Sequence, residues 1–533
     1  MIQPQNQLAT HTVDNQPGAP VDRDPFTDDP ILADHVRAQG GDLDHLARFG
    51  GALAGHWQTG RDARQHPPEA LIFYRTGARL DEVRFHPAYH DLMRLGLSHG
   101  YAAHPWSGAR GGHVTHAAMV ALLSQIEPGT CCPMTMTYAA IPALQATGFD
   151  DWADKLATPD YDSAIAPLSA KRAATMGMAM TEKQGGSDVR ANTTRAEPDG
   201  NAWRLTGHKW FCSAPMSDGF LTLAQTDDGL TCFLVPRWLE DNTRNAIHLM
   251  RLKDKLGNRA NASAEIEFHG ARALLVGEPG RGVNAIIRMV HHTRLDTAMA
   301  PVGLMRAALA EAMHWVEGRR TFQRRLIDQP LMRQVLADLA LDLEGATALG
   351  LRIARAFDED APLARAGVAL AKFLSNKRCG PVVAEAMEVL GGMGYVEDTP
   401  MPMLYREAPL NGIWEGSGNV ICLDILRTLA KDDAARDALW AALDAPAGAD
   451  RTFDAALSQF RTDFPGAPQE ALARLYVERL ATLLTAATLI ETASAPVADA
   501  YCATRLYQPR GQIAGSVADL NAEALLSRLS RTC

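Results

Sequence analysis

The apolar residues of this chain change their period twice along its length, and this limits the folds open to it. Between about residues 172 and 285, side chains alternate, as in Ala264-Glu-Ile-Glu-Phe268. Others gather into short β-rich runs, Phe220-Leu-Thr-Leu-Ala224 and Cys232-Phe-Leu-Val235, bounded by Asp-Gly or Pro. A period of two puts one face of a strand in a core and the other outside it. On both sides of this segment the repeat is helical, with Leu336, Leu339 and Leu343 as one example. A strand-forming segment between two helical ones predicts a mainly α protein with a central β-domain.

A length of 533 residues is too great for one core and predicts several domains. Residues 1–30, rich in Gln, Asp, Asn and Pro, read either as an extended arm or as a disordered tail. Residues 31–171 read as a helical domain punctuated by Gly108-Ala-Arg-Gly-Gly112 and Glu127-Pro-Gly129, and 172–285 as the β-domain. Residues 286–440 read as a helix bundle in which Gly391-Gly392 stops a helix ending in Glu388-Val-Leu390. Ala445-Pro-Ala-Gly448 then reads as a linker into a C-terminal helical domain, 441–533, where Leu472, Tyr476, Leu480 and Leu484 share a face.

A formal net charge of −10 argues against a generally basic nucleic-acid binder and leaves only a local patch for such contact. The eight cysteines form no C-x-x-C pair and no zinc spacing, so they read as small buried hydrophobes in a reduced, cytoplasmic protein. His291-His292 lacks a further His or carboxylate at ligand spacing, and no metal is expected. No apolar run approaches a membrane span, and the N-terminus has no apolar core of the kind a signal peptide needs.

The richest local wording is Ile413-Trp-Glu-Gly-Ser-Gly-Asn419, shortly after Leu390-Gly-Gly-Met-Gly-Tyr395. Glu415 stands beside a bulky apolar residue and before small ones, so a flat ligand has access to the backbone while the carboxylate stays partly dry; such a carboxylate can be a base. Taken alone, Glu415 reads first as a solvated loop carboxylate, and it is the surrounding motifs that favour the base. Two other segments are Met180-Thr-Glu-Lys-Gln-Gly-Gly-Ser-Asp-Val189 and Gly207-His-Lys-Trp-Phe-Cys-Ser213. Together the four segments resemble the motifs of the acyl-CoA dehydrogenase superfamily. The runs Glu-Lys-Gln-Gly-Gly-Ser-Asp, Lys-Asp-Lys-Leu-Gly-Asn-Arg and Ile-Trp-Glu-Gly-Ser-Gly-Asn are closest to its AidB-type alkylation-response flavoproteins. The likeness runs from about residue 30 to 530, and the roughly ninety residues beyond Lys431 favour that branch over a standard β-oxidation enzyme.

The resemblance implies the superfamily's fold: an N-terminal helical domain, a β-barrel-like domain and a four-helix bundle, with the extra C-terminal helical domain of this branch. It implies FAD as cofactor and Glu415 as the base that removes an α-proton from an acyl-CoA. It implies that Met180, Thr181, Gly186 and Ser187 meet the flavin through a turn, with Trp210 covering the ring, Phe211 beside it and Ser213 at its reactive side. Gly391, Gly392, Gly416, Ser417 and Asn419 belong to the cofactor motifs. Arg319 of Arg319-Arg-Thr-Phe-Gln323 would grip the pyrophosphate of a neighbouring subunit's FAD, although Gln323 stands where the family has glycine. Glu388 stands where the family often has Gln and is expected to point away from phosphate. Arg294 matches a family arginine near the substrate, or else makes a helix-surface ion pair.

The implied assembly is a homotetramer, a dimer of dimers, with an electron-transfer flavoprotein as the acceptor in a metabolic role. The implied alternative role is DNA-associated protection during alkylation stress, with weak dehydrogenase activity. From Trp440 onward there are eight arginines, no lysine and ten acidic residues, which is not a basic domain. Contact with double-stranded DNA would therefore need arginines gathered on one face, Arg505 and Arg510 beside Arg427. Scattered surface arginines in ordinary ion pairs explain the same composition.

Overall fold

The computed structural model describes residues 4–21, 23–506 and 521–529. Its first helical stretch comprises α1 (Pro30–Gln39), α2 (Leu43–Ala54), α3 (Trp57–Gln65), α4 (Pro87–Ser98), α5 (Gly112–Ile126), α6 (Cys131–Gln145) and α7 (Asp150–Leu156). A hairpin of β1 (Glu69–Phe73) and β2 (Arg79–Arg84) follows α3. Every residue of α5 is buried, as expected of a helix apolar all round.

The alternating segment supplies β3 (Met176–Thr181), β4 (Arg195–Asp199), β5 (Ala202–Ser213), β6 (Gly219–Thr226), β7 (Gly229–Pro236), β8 (Ile247–Leu252) and β9 (Ser263–Val276). These form one seven-stranded sheet in the order β3-β5-β4-β6-β7-β9-β8. Further pairings, β3 with β6 and β5 with β9, curl it around a core of its own that holds Phe220, Phe233 and Phe268. The expected alternation holds in β9: Ala264, Ile266 and Phe268 point inward, and Glu265 meets Arg251 and Lys253 outside.

The bundle is built from α8 (Gly282–Gly318), α9 (Pro330–Asp358), α10 (Leu363–Val389) and, after the short α11 (Met401–Glu407), α12 (Gly418–Lys431). Because α9 returns between them, α8 and α10 run parallel. Leu336, Leu339 and Leu343 are buried on α9. The last residue of α9 also ties the bundle to the first domain. Asp358 accepts the N–H groups of His113 and Val114 at 2.7 and 3.1 Å, capping α5, which has no side-chain cap of its own.

Three sequence expectations change here. Helix α13 (Asp433–Asp444) runs straight across residue 440, and Ala445–Gly448 is a turn into α14 (Arg451–Asp463). Helices α15 (Ala473–Thr492), α16 (Ala495–Tyr501) and α17 (Ala522–Leu526) follow, and α15 packs on α9 and α10 within one continuous apolar core. The terminal helices are thus an added layer on the bundle. Tyr476, Leu480 and Leu484 share the buried face as expected, but Leu472 precedes the helix and is 45% exposed.

The arm, finally, is extended and docked. Asn15 lies across the end of α8, its side chain accepting from Arg320 N at 2.6 Å and donating to Arg320 O at 2.8 Å, while Arg319 donates to Asn15 O at 2.5 Å. Beyond it, β10 (Arg320–Thr321) and β11 (Arg324–Arg325) form a tight hairpin. Its two turn residues, Phe322 and Gln323, have φ of 49° and 67°. Among the described residues, no helix is long and apolar enough to cross a membrane, and the seven cysteines are free and buried. Cys533 lies outside the described residues.

Candidate active site

Glu415 sits between α11 and α12 on a loop that is left-handed at two consecutive residues, Glu415 (φ 56°) and Gly416 (φ 101°). A side chain in that region costs about 1–2 kcal/mol, so neighbouring groups must hold the loop. Lys372 on α10 donates to Asn411 O at 2.8 Å and Gly416 O at 2.9 Å. Arg294 on α8 donates to Glu415 O at 3.3 Å and, through Nη1, to Asp424 Oδ2 on α12 at 2.6 Å. Thr293 donates its hydroxyl to Glu415 Oε2 at 2.7 Å. Within the loop, Trp414 Nε1 donates to Asn411 Oδ1 at 2.7 Å.

The carboxylate borders a small pocket between α5, α6, α8 and the end of β5. Met136, Ala300 and Trp414 give it apolar walls, and Thr135, Asp296 and Glu407 add polar ones. These acids are already engaged. Asp296 accepts the Thr135 hydroxyl at 2.5 Å and lies 2.7 Å from His116 Nε2. Glu407 accepts the Asn258 side-chain amide at 2.9 Å and the N–H of the same residue.

Burial pushes the Glu415 carboxyl above the usual range, against the Thr293 hydrogen bond and the charges of Lys372 and Arg294. The same dry surroundings pull Lys372 down to about 7, although Glu415 works to raise it. Burial works to raise Asp424 too, but the hydrogen bond from Arg365 and the charge of Arg294 hold it at about 2. In the pocket wall, burial pushes up the thiols of Cys131 and Cys132, the latter to about 12.

Ser213, the last residue of β5, lines the same pocket as Glu415. Just before it the strand bulges: Lys209 pairs with Ile266 and Cys212 with Ala264, leaving Trp210 and Phe211 opposite Glu265. The bulge turns both rings away from the sheet's core. Lys253 Nζ stands 3.2 Å above the Trp210 ring and 4.6 Å from the Phe211 ring, so a face of Trp210 is already covered. Phe211 is 44% exposed and, two residues from Ser213, shares its strand face. Of the two aromatic rings, Phe211 is thus the one left open to a ligand.

Met180 and Thr181 end β3 in register with this strand, Thr181 opposite Phe211 and Met178 opposite Ser213. Gly186 and Ser187 lie in the following turn, which closes directly on the strand end: a Cβ on Gly186 would stand 3.0 Å from the Thr181 methyl. Glu182 pins that turn. Its carboxylate accepts Lys209 Nζ at 2.7 Å and Thr193 N at 2.7 Å, and Lys209 also donates to Leu223 O at 2.7 Å. Burial opposes the charge on Glu182, but Lys209 holds it at about 2. The open Phe211 ring and the Thr181 hydroxyl lie beside Ser213, which shares a pocket with Glu415, and these groups fit the flat, polar-edged flavin that the motifs imply.

The remaining expected residues divide. Gly416 shapes the Glu415 loop, and Ser417 starts α12. Asn419 is exposed and accepts from Arg474 at 3.1 Å, away from the pocket. Arg319 lies 26 residues along α8 from Thr293, and Gly391 lies 19 along α10 from Lys372. At 1.5 Å per residue these are about 39 and 28 Å, at the same far end of two parallel helices. Arg319, Gly391 and Gly392 are therefore not brought to this pocket within one chain. Glu388 is exposed.

Arg294 is buried, and its guanidinium serves the Glu415 loop and Asp424; neither the substrate contact nor the surface ion pair expected of it describes this placement. The proposed DNA-contacting arginines need a larger correction. Arg505 is buried between Asp338 and Asp342 at 2.5 and 3.0 Å, where it can neutralise no phosphate. Arg510 lies outside the described residues. Arg427 is exposed on α12. Sequence reasoning missed Thr293, Lys372 and Asp424; the one visible signal was a lysine inside the apolar run Val368-Ala-Leu-Ala-Lys-Phe-Leu374.

Residues 15–163 match the family described as the adaptive response protein AidB N-terminal domain. Residues 177–271 match the acyl-CoA dehydrogenase middle domain, and 280–430 the acyl-CoA dehydrogenase C-terminal domain. The chain is 46% identical to AidB of Escherichia coli (strain K12) over 512 residues, 93% of this chain and 94% of that one. It is 32% identical to acyl-CoA dehydrogenase family member 11 of Caenorhabditis elegans over 442 residues, 77% of this chain and 71% of that one. The crystal structure of Caenorhabditis elegans ACDH-11 in complex with C11-CoA superposes with a TM-score of 0.86 at 28% identity, covering 95% of each chain.

Proposed function

The chain belongs to the acyl-CoA dehydrogenase family, on its AidB branch, with FAD as cofactor, and from that premise we propose that it oxidises an acyl-CoA thioester between its α and β carbons with Glu415 as the base. The observation that carries this reading is that the Glu415 carboxylate and Ser213, at the end of the bulged strand, border one pocket. A carboxyl pushed above its usual range is a stronger base than an ordinary carboxylate, which suits removal of a weakly acidic proton. FAD, when bound, accepts the hydride that leaves the β-carbon.

The chain's own residues do the rest. Glu415 takes the α-proton onto its carboxylate, leaving an α,β-unsaturated thioester. Thr293 orients one carboxylate oxygen, and Arg294 and Lys372 fix the loop that carries it. Phe211, Thr181, Gly186 and Ser187 would hold the ring and Ser213 its reactive side, while the walls of Met136, Ala300 and Trp414 exclude water from the reacting carbons. Arg319, Gly391 and Gly392 would serve the cofactor of a second copy. In keeping with this, Phe322, Leu331 and Tyr395 near the same end are 94, 84 and 81% exposed, and we read the assembly as a homotetramer. We assign it to the cytoplasm, in line with its free buried cysteines, and assign its electrons to an electron-transfer flavoprotein.

Anaerobic titration of the flavin-loaded protein with butyryl-, isovaleryl- and undecanoyl-CoA tests the reading. Bleaching of the flavin by at least one of them supports it, and a flavin that stays oxidised with all three overturns it.

A DNA-associated protective role is the second reading, and Arg427 with Lys431 one turn later on the exposed face of α12 is what favours it. Contact through two cations per chain would be steeply salt-dependent and indifferent to sequence. Duplex anisotropy at low salt checks it: no binding, or binding unchanged in Arg427→Glu/Lys431→Glu, ends it.

A further inference from the structure

Lys372 is a buried cation whose hydrogen bonds go to two main-chain carbonyls, Asn411 O and Gly416 O, and among the described residues it pairs directly with no carboxylate. A buried ammonium without a contacting counter-charge is costly, and an apolar side chain would fill the same space on α10 more cheaply. What the lysine adds is specific to the loop. Its two acceptors stand at either end of the segment carrying Trp414 and Glu415, so one amine clamps both ends of a turn that is left-handed at Glu415 and Gly416.

We propose that Lys372 is a positioning residue for Glu415: by bridging Asn411 O and Gly416 O it fixes the direction in which the carboxylate enters the pocket. This rests on the reading of Glu415 as the base. The groups around the amine set the pH behaviour. Glu415 faces it from the loop, Arg294 from α8 and Lys377 from α10, and the Arg294 and Arg365 charges are in turn tied to Asp424 on α12. Of these groups Glu415 and Lys372 are the two whose proton affinities the burial shifts, the carboxyl upward and the amine downward. As pH rises through the region near neutrality Lys372 loses its proton, and Glu415 loses the nearest charge favouring its anion.

The test is the rate of flavin reduction in the FAD-loaded protein, measured by anaerobic stopped flow with butyryl-CoA and undecanoyl-CoA from pH 6 to pH 9. A second arm is the crystal structure of each variant. In Lys372→Met the limiting rate should fall about 100-fold, the order expected when a reacting group is misplaced by about 1 Å. The substrate concentration for half-maximal rate should change little. The fall in rate on the alkaline side should disappear. Lys372→Arg, which keeps the charge and the donors, should recover most of the rate and show no alkaline decline, because a guanidinium does not titrate there. If Lys372→Met does not fold, the Lys372→Arg profile still decides: an alkaline limb identical to that of the unsubstituted protein overturns the proposal. So does a Met variant that folds, keeps its rate within about threefold and leaves the 411–416 loop unmoved. If no acyl-CoA reduces the unsubstituted protein, the proposed function fails by itself. The crystal arm then still judges the clamp, since a loop unchanged without the lysine refutes it.

Discussion

Two buried lysines, Lys209 and Lys372, each lie close to a glutamate, and the two pairs do opposite things. In the β-domain, Lys209 touches Glu182 directly at 2.7 Å, and the carboxyl is held at about 2. In the bundle, Lys372 bonds the backbone on either side of Glu415 and leaves the carboxylate without a contacting cation, and that carboxyl is raised. The residue types are alike; the difference lies in contact. A direct ion pair removes a carboxylate from proton chemistry and makes it a lock. An ammonium set one shell back leaves the carboxyl free of a direct ion pair, with its proton affinity raised.

The largest expected effect falls on the bundle pair. Glu415→Gln should slow flavin reduction by about 10³–10⁴-fold, the upper range for loss of a general base, with the visible spectrum of bound FAD unchanged. A residual rate within tenfold would place the base elsewhere. The same isosteric change at Glu182 should act on folding instead. Glu182→Gln leaves Lys209 buried without its anion, at a cost of about 3–5 kcal/mol, read as a lower denaturation midpoint. An unchanged midpoint would mean that the lock carries no load.

The lock should also have a pH signature. Glu182 is held at about 2, below its ordinary 4.5, so its stabilising contribution is fully present above about pH 4.5. It is lost as pH falls through about 2. Acid titration of Glu182→Gln beside the parent chain should show the two stability curves converging towards low pH. Curves that remain parallel would contradict the assignment.

The smallest effects concern strained backbone. Gly416→Ala forces a side chain to φ 101° and brings a Cβ 3.3 Å from Ile421, which should cost about 1–3 kcal/mol of local strain and slow flavin reduction without unfolding the protein. Gln323→Gly relieves a similar φ at the exposed hairpin tip, where nothing comparable braces the turn. It should raise stability by about 1 kcal/mol with no change in rate. If both changes altered the rate alike, the braced and unbraced turns would not differ as described.

How much of this was legible beforehand follows from the range of the forces involved. The strand alternation of β9 and the Leu336–Leu343 stripe are local patterns, and the fold follows them. The motif loops were visible for the same reason. The contacts that make the site work join residues far apart in sequence: Lys372 to Gly416, Thr293 to Glu415, Asp358 to the start of α5. No local pattern encodes such a meeting. Arg505 shows the same limit from the other side: an arginine looks alike in sequence whether it reaches solvent or, as here, lies between Asp338 and Asp342. Which of Trp210 and Phe211 stays open is set by a bulge, and a bulge leaves no mark in composition.

The paired thiols in the pocket wall, Cys131 and Cys132, have one practical consequence. Electrophiles attack the sulfur anion, and a Cys132 group pushed up to about 12 is anionic in only about one molecule in 10⁵ at neutral pH. Methylating or carbamidomethylating reagents should therefore pass the folded protein by and mark these sulfurs only when α6 opens to water, which makes their labelling rate a clock for the breathing of the chamber they line.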